Sequence, residues 1–113
     1  MTPYLLIDFG TSSTKSALVD LDTGHFHHLR RYGALARLSG PPHQYETSLL
    51  AIRSRFHEIC RYYRAELEIP FAGIVLCSEM HGFALVDEHG DPASNYIGWL
   101  DERSAHPSAG HTA

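Results

Sequence analysis

The residues best suited to chemistry stand near the start of the chain, in Asp8-Phe9-Gly10-Thr11-Ser12-Ser13-Thr14-Lys15. A carboxylate closes the apolar run Tyr4-Leu5-Leu6-Ile7. A glycine beside it lets the backbone turn sharply, hydroxyl residues follow from Thr11 to Thr14, and a lysine opens the next apolar stretch. Backbone N–H groups and hydroxyls in such a turn can point at phosphate oxygens. Asp8 can hold a hydrated Mg2+, which takes one or two carboxylates and keeps several waters. Lys15 either supplies positive charge or is a solvated strand residue. The pattern is not a Walker A loop, which needs G-x-x-x-x-G-K-[ST] leading into a helix. Here the glycine precedes a second strand, so a phosphate would sit on a β-hairpin. A plain hairpin turn fits the same residues, because Gly, Ser and Thr favour turns in any case.

Two later segments could contribute polar groups. Ser78-Glu79-Met80-His81-Gly82 follows the apolar run Gly73–Cys77, at its carboxyl end, where ligands collect in open α/β sheets. Met80 offers an adaptable apolar wall. His81 can hydrogen-bond a hydroxyl or carbonyl through either ring nitrogen, and Gly82 allows a close approach. A satisfied histidine in a structural turn is the plainer reading. Trp99-Leu100-Asp101-Glu102-Arg103 gathers an aromatic, carboxylates and a guanidinium. Asp101 can accept from polyol hydroxyls while Trp99 covers an apolar face. An exposed Asp–Arg pair of little energetic consequence is equally ordinary.

The elements that would position these segments can be read from periodicity. Tyr4 to Asp8, Lys15 to Asp20 and His25 to Ala34 read as three strands joined by short turns, an antiparallel meander with a tight turn at Asp22-Thr23-Gly24. After Ser39-Gly40-Pro41-Pro42, the residues Tyr45, Leu49, Ile52, Phe56, Ile59, Tyr63 and Leu67 step by three or four, which predicts an amphipathic helix that Pro70 ends. Gly73 to Cys77 predicts a buried strand, and the helix before it permits parallel pairing with the first strand. Phe83 to Val86 predicts a further strand and Glu88 to Pro92 a turn. The order is β-β-β-α-β-β, a mixed α/β arrangement.

Length and charge narrow the classes. A chain of 113 residues holds one domain and a real core. With 9 basic and 13 acidic residues the formal charge is −4, so no polyanion footprint exists and a nucleic-acid partner is not expected. No apolar run reaches the length of a membrane helix, so no membrane partner is expected either. The start shows no basic region with a long apolar core, as a signal peptide would. Cys60 and Cys77 read as reduced thiols, pointing to the cytoplasm. His25, His27 and His28 form H-x-H-H, but only Asp22 stands near as a further ligand, and an exposed strand or turn is the simpler reading.

In this order, the three segments resemble the amino-terminal region of the FGGY-family carbohydrate kinases. The first is similar to that family's phosphate hairpin, D-x-G-T-[ST]-x-x-K, through Asp8, Gly10, Thr11, Ser12 and Lys15. The second is similar to the Q-M-H-G substrate segment of xylulokinase-like members, through Met80, His81 and Gly82. The third is similar to W-x-D-x-R, through Trp99, Asp101 and Arg103. The resemblance runs from about residue 4 to residue 103. It implies a ribonuclease-H-like (actin-like ATPase) domain, present in part, over residues 1–103, with 104–113 a flexible tail.

It further implies transfer of the ATP γ-phosphate to a hydroxyl of D-xylulose or a related ketose or polyol. Asp8 would lie near Mg2+ and the transferring phosphate. Gly10, Thr11 and Ser12 would cradle phosphate oxygens with help from Lys15. Met80, His81, Gly82 and Asp101 would line the sugar pocket. Two departures stand out. Glu79 replaces the family's glutamine, adding a negative charge near a phosphate site. The family's general-base aspartate, adenosine site and second lobe lie downstream of the matching region, so the 113 residues alone are expected to be inactive. The missing carboxyl-terminal lobe is then the natural partner, and apolar surface that it would cover favours a homodimer. The alternative is a stand-alone sugar- or nucleotide-binding regulatory module on the same half-fold.

Overall fold

The computed structural model describes residues 2–79 and 81–105. They form two compact units. The first contains residues 2–35 and 53–79, the second residues 36–52 and 81–105.

The first unit is built on a four-stranded sheet of β1 (Tyr4–Phe9), β2 (Ser13–Asp20), β3 (His25–Gly33) and, after the helix, a fourth strand at Ile74–Ser78. The first three form the expected antiparallel meander. Gly24, at φ 74°, closes the second turn, where Asp20 Oδ1 accepts the Asp22 N–H at 2.9 Å. The Ile74–Ser78 strand runs parallel to β1 as expected, and the spatial order places β1 between it and β2, so it is an edge strand whose residues are exposed rather than buried as the apolar run predicts.

Alternation of burial along β1 shows why this run is a strand. Leu5 and Ile7 are fully buried, with Leu18, Tyr32, Ile59 and Tyr63 completing the core. Burying each aliphatic side chain contributes about 1.5–3 kcal/mol. A bulge interrupts β2 and β3 between Ser16 and Leu18. His28 takes a left-handed conformation there, at φ 51°. Its carbonyl accepts the Tyr63 hydroxyl at 2.7 Å, and that hydroxyl also lies 2.9 Å from Ser16 Oγ.

The second unit contains β4 (Glu46–Thr47) and the first residues of α1 (Leu49–Arg61). The strand at Ile74–Ser78 is β5 in chain order, and β6 (Tyr96–Ile97) pairs antiparallel with β4. Helix α1 begins at Leu49 rather than at Tyr45. Ser48 is its N-cap, with Oγ accepting the Ala51 N–H at 3.2 Å. Beyond Arg61 the helix widens into a π-turn at Tyr62–Glu66. Glu68 then turns left-handed at φ 56°, the Ile69 N–H returns to the Tyr63 carbonyl, and Pro70 follows.

The strand expected at Phe83–Val86 is absent. Those residues form two isolated bridges, Phe83 to Ile97 and Val86 to Pro92. Phe83, Leu85 and Val86 are each more than half exposed, so there is no buried face to select an extended sheet strand. They instead lead into the expected turn, where Asp87 Oδ1 accepts the N–H groups of His89 and Asp91 at 2.9 Å. Of the tail, Ser104 and Ala105 complete a 3-10 turn begun at Arg103, and residues 106–113 lie outside the described residues. Among the described residues, no helix is long and apolar enough to cross a membrane.

Candidate functional site

In the first unit, strand register gathers the hairpin residues. Asp8 stands directly opposite Lys15 on β2 and opposite Cys77 on β5. Asp8 is half-buried and Lys15 exposed. The turn between β1 and β2 is tight. The Gly10 N–H donates to the Ser13 carbonyl at 3.0 Å, and a Cβ on Gly10 would come within 2.9 Å of that same oxygen. Only glycine fits this approach without backbone movement. Ser12 is exposed at the tip.

The turn is also tied to the end of β5. The Thr11 hydroxyl donates to Glu79 Oε2 at 2.6 Å, across 68 residues of sequence. Glu79 follows the last β5 residue, Ser78, which is in register with Phe9. The carboxylates of Asp8 and Glu79 and the Lys15 ammonium therefore belong to the same carboxyl-terminal end of the parallel β1–β5 pair. Behind the turn, the Arg55 guanidinium donates to Gly33 O at 2.9 Å and to Thr14 Oγ1 at 3.3 Å, fixing the start of β2 against the end of β3. Carboxylate and hydroxyl oxygens are the donors that Mg2+ prefers, so Asp8 and Thr11 fit that ion chemically. Among the described residues, no group of three or more His, Cys, Asp or Glu side chains forms a ready-made metal cage. Such a cage is not needed by an ion that keeps its waters and borrows phosphate oxygens.

In the second unit, His81 is exposed and held at φ 61°, a left-handed conformation that costs a non-glycine residue about 1–3 kcal/mol and clusters at functional sites. Met80 lies outside the described residues. The space over Gly82 is filled by this chain's own Tyr96. A Cβ there would stand 1.7 Å from the Tyr96 hydroxyl oxygen. Gly82 thus admits Tyr96, a partner that sequence gave no sign of, and the adjacent Phe83–Ile97 bridge keeps the two segments together with hydrogen bonds of 3.0 and 2.8 Å.

The Asp101 carboxylate is hydrogen-bonded through both oxygens. Its Oδ2 accepts the Tyr45 N–H at 2.7 Å and Arg103 at 2.6 Å, and its Oδ1 accepts the Arg103 N–H at 3.0 Å and Nε at 2.9 Å. The Arg103 guanidinium and these two backbone N–H groups hold the carboxyl far below the usual carboxylate range. Arg103 also reaches Glu46 at 2.5 Å, and Asn95 donates to the other Glu46 oxygen at 3.0 Å. Those contacts, the Asn95 hydrogen bond foremost, hold Glu46 below its ordinary range too. With only 6% of its side chain exposed, Asp101 has its lone-pair directions occupied by protein donors. A sugar hydroxyl would have to displace one of them. The geometry makes Asp101 a clasp between Tyr45 and Arg103, flanked by the backbone bonds Gly98 to Tyr45 and Glu102 to His43, and Trp99, two residues earlier, is 53% exposed.

No protein-family model matches the chain, and no curated protein does. Solved structures do match. The xylulose kinase of Lactobacillus acidophilus superimposes with a TM-score of 0.79 at 22% identity over 94% of this chain. A xyloylose kinase of Brucella ovis gives 0.73 at 27% identity over 92%. The chain has the fold of the amino-terminal region of the FGGY carbohydrate kinases. The glycerol kinase of Plasmodium falciparum, solved with ADP, extends the likeness to 99% of the chain, with a TM-score of 0.70 at 20% identity. The fold is therefore the actin-like ATPase fold of the sugar kinases, present in part, with the mixed parallel and antiparallel sheet expected of it. The chain spans 21% to 24% of the length of these kinases.

Proposed function

We propose that this chain is the amino-terminal part of an ATP-dependent carbohydrate kinase that transfers the γ-phosphate to a hydroxyl of D-xylulose or a related ketose or polyol. The observation that carries this reading is the placement of the Asp8–Lys15 hairpin at the carboxyl ends of the parallel strands β1 and β5, the edge where α/β sheets bind ligands, in a fold shared with sugar kinases.

In this reading the first unit handles phosphate. Gly10 keeps the turn tight, Thr11 and Ser12 present hydroxyl and backbone groups to phosphate oxygens, and Lys15 balances charge. Asp8 would hold Mg2+. The ion, when bound, neutralises charge on the phosphates. Phosphoryl transfer needs little covalent chemistry from the protein, so positioning and electrostatics account for most of the work assigned to these residues. The second unit handles the acceptor. Met80 and His81 recognise the sugar, Gly82 and Tyr96 shape the wall, and Trp99, near Asp101, covers the apolar face of the carbon chain. The whole kinase, on this proposal, is cytoplasmic, and its second lobe supplies the general base. Residues 1–103 form the incomplete domain.

The test is ATP-dependent phosphorylation of D-xylulose. The kinase that contains this region is expected to turn over the sugar, and Asp8→Asn to lower kcat/KM by roughly a hundredfold or more without unfolding the protein. The 113-residue chain alone is expected to show no turnover. Full activity in Asp8→Asn, or turnover by the short chain, would overturn the assignment.

A further inference from the structure

His81 is held in a conformation that it would not choose alone. Its φ of 61° is left-handed, where the Cβ of a non-glycine residue is crowded. Backbone of this kind persists only where neighbouring structure over-determines it. Tyr96 is such a neighbour. A Cβ on Gly82 would lie 1.7 Å from the Tyr96 hydroxyl oxygen, 2.3 Å from Cζ and 2.8 Å from Cε2, so the phenol end of the ring rests on the residue that follows His81. The Tyr96 backbone is fixed on two sides. It stands opposite the buried Thr47 across the β4–β6 pair, and the next residue, Ile97, exchanges both backbone hydrogen bonds with Phe83 at 3.0 and 2.8 Å. The chain is therefore covered at Gly82 and pinned directly after it. Rotating the His81–Gly82 peptide toward the right-handed region would have to displace Tyr96 or break the Phe83–Ile97 pair. His81 itself is exposed, which leaves its imidazole available to a ligand.

We propose that Tyr96 is a positioning residue that seats Gly82 and thereby fixes the direction in which His81 meets the acceptor sugar. The inference rests on the reading of His81 as a sugar-recognising residue and adds Tyr96 to it, acting through His81 rather than only as a wall. An imidazole already set in place spares the sugar the cost of ordering it on binding. The effect belongs to the acceptor and not to ATP, which the hairpin of the first unit serves.

The experiment uses the kinase that contains this region, as wild type, Tyr96→Ala, His81→Ala and the double variant. Histidine-selective isotope labelling identifies the His81 imidazole signal in NMR spectra by its loss in His81→Ala, and the remaining signals report whether each variant is folded. Tyr96→Ala is expected to move the His81 signal, and Tyr96→Phe, which retains the ring, to move it less. With D-xylulose as acceptor, Tyr96→Ala is expected to raise KM for the sugar about tenfold, the order of one side chain's ordering cost, and to leave KM for ATP within about twofold. In the His81→Ala background the same substitution is expected to raise the sugar KM no further, because the two residues act as one. An unmoved His81 signal in Tyr96→Ala, or effects on the sugar KM that add in the double variant, would overturn the role of Tyr96 while leaving the sugar reading intact. A sugar KM indifferent to His81→Ala, or no turnover of D-xylulose by wild type, would overturn that reading and the inference with it.

Discussion

At the scale of single residues, buried polar atoms with several partners carry the sharpest consequences. Tyr63 donates to the His28 carbonyl and contacts Ser16 from a fully buried position. Tyr63→Phe keeps the packing but leaves a bulge carbonyl unpaired, so it is expected to destabilise the fold by about 1–3 kcal/mol in chemical denaturation. A loss within error would mean that the bulge does not depend on this bond. Asp101 gives a pH-dependent counterpart. Its folded-state pKa is depressed below the unfolded value of about 4, so its stabilisation is complete above that pH and fades as the pH falls further. Asp101→Asn is expected to cost about 2–3 kcal/mol near neutrality. The gap from wild type should narrow on acidification below about pH 4. A gap independent of pH would show that Arg103 does not stabilise the ionised form. The carboxylate and its Arg103 partner were visible in W-x-D-x-R, but the Tyr45 N–H that Asp101 also accepts and the Glu46 carboxylate that Arg103 also reaches were not. Tyr45 and Glu46 lie more than fifty residues away in sequence, and nothing local marks them.

Elements explain which parts of the fold sequence could reveal. The meander and β5 were legible because alternating or continuous apolar runs are bounded by turn residues, and the Ile59–Tyr63 stripe was legible because it repeats at helical spacing. The two-residue strands β4 and β6 are too short to produce a period. Tyr45 matches the helical stripe by spacing, yet Ser48 caps the helix after it and the Tyr45 N–H serves Asp101 instead. Phe83–Val86 has strand composition without a buried face. The end of α1 offers an element-scale test. Glu68 sits left-handed where helices commonly place glycine, so Glu68→Gly is expected to stabilise the protein by about 0.5–1 kcal/mol, measured as an upward shift in Tm. A lower Tm would show that the Glu68 side chain contributes more than its backbone conformation costs.

At the scale of the whole molecule, β5 lies at one side of the sheet with Ile74, Val75 and Leu76 all substantially exposed. An apolar strand without a covering neighbour is a liability in an isolated protein. It is in keeping with the proposal that further chain completes this sheet, and the chain spans only 21% of the Lactobacillus kinase it matches. The most direct measurement is therefore the intact mass of the polypeptide carrying this sequence in its own cell. The account predicts a mass about four to five times the 12.6 kDa of these 113 residues, following the share of the matched kinases that the chain covers. A native polypeptide of 12.6 kDa would contradict it, because the lobe expected to supply the general base would then not belong to the same chain.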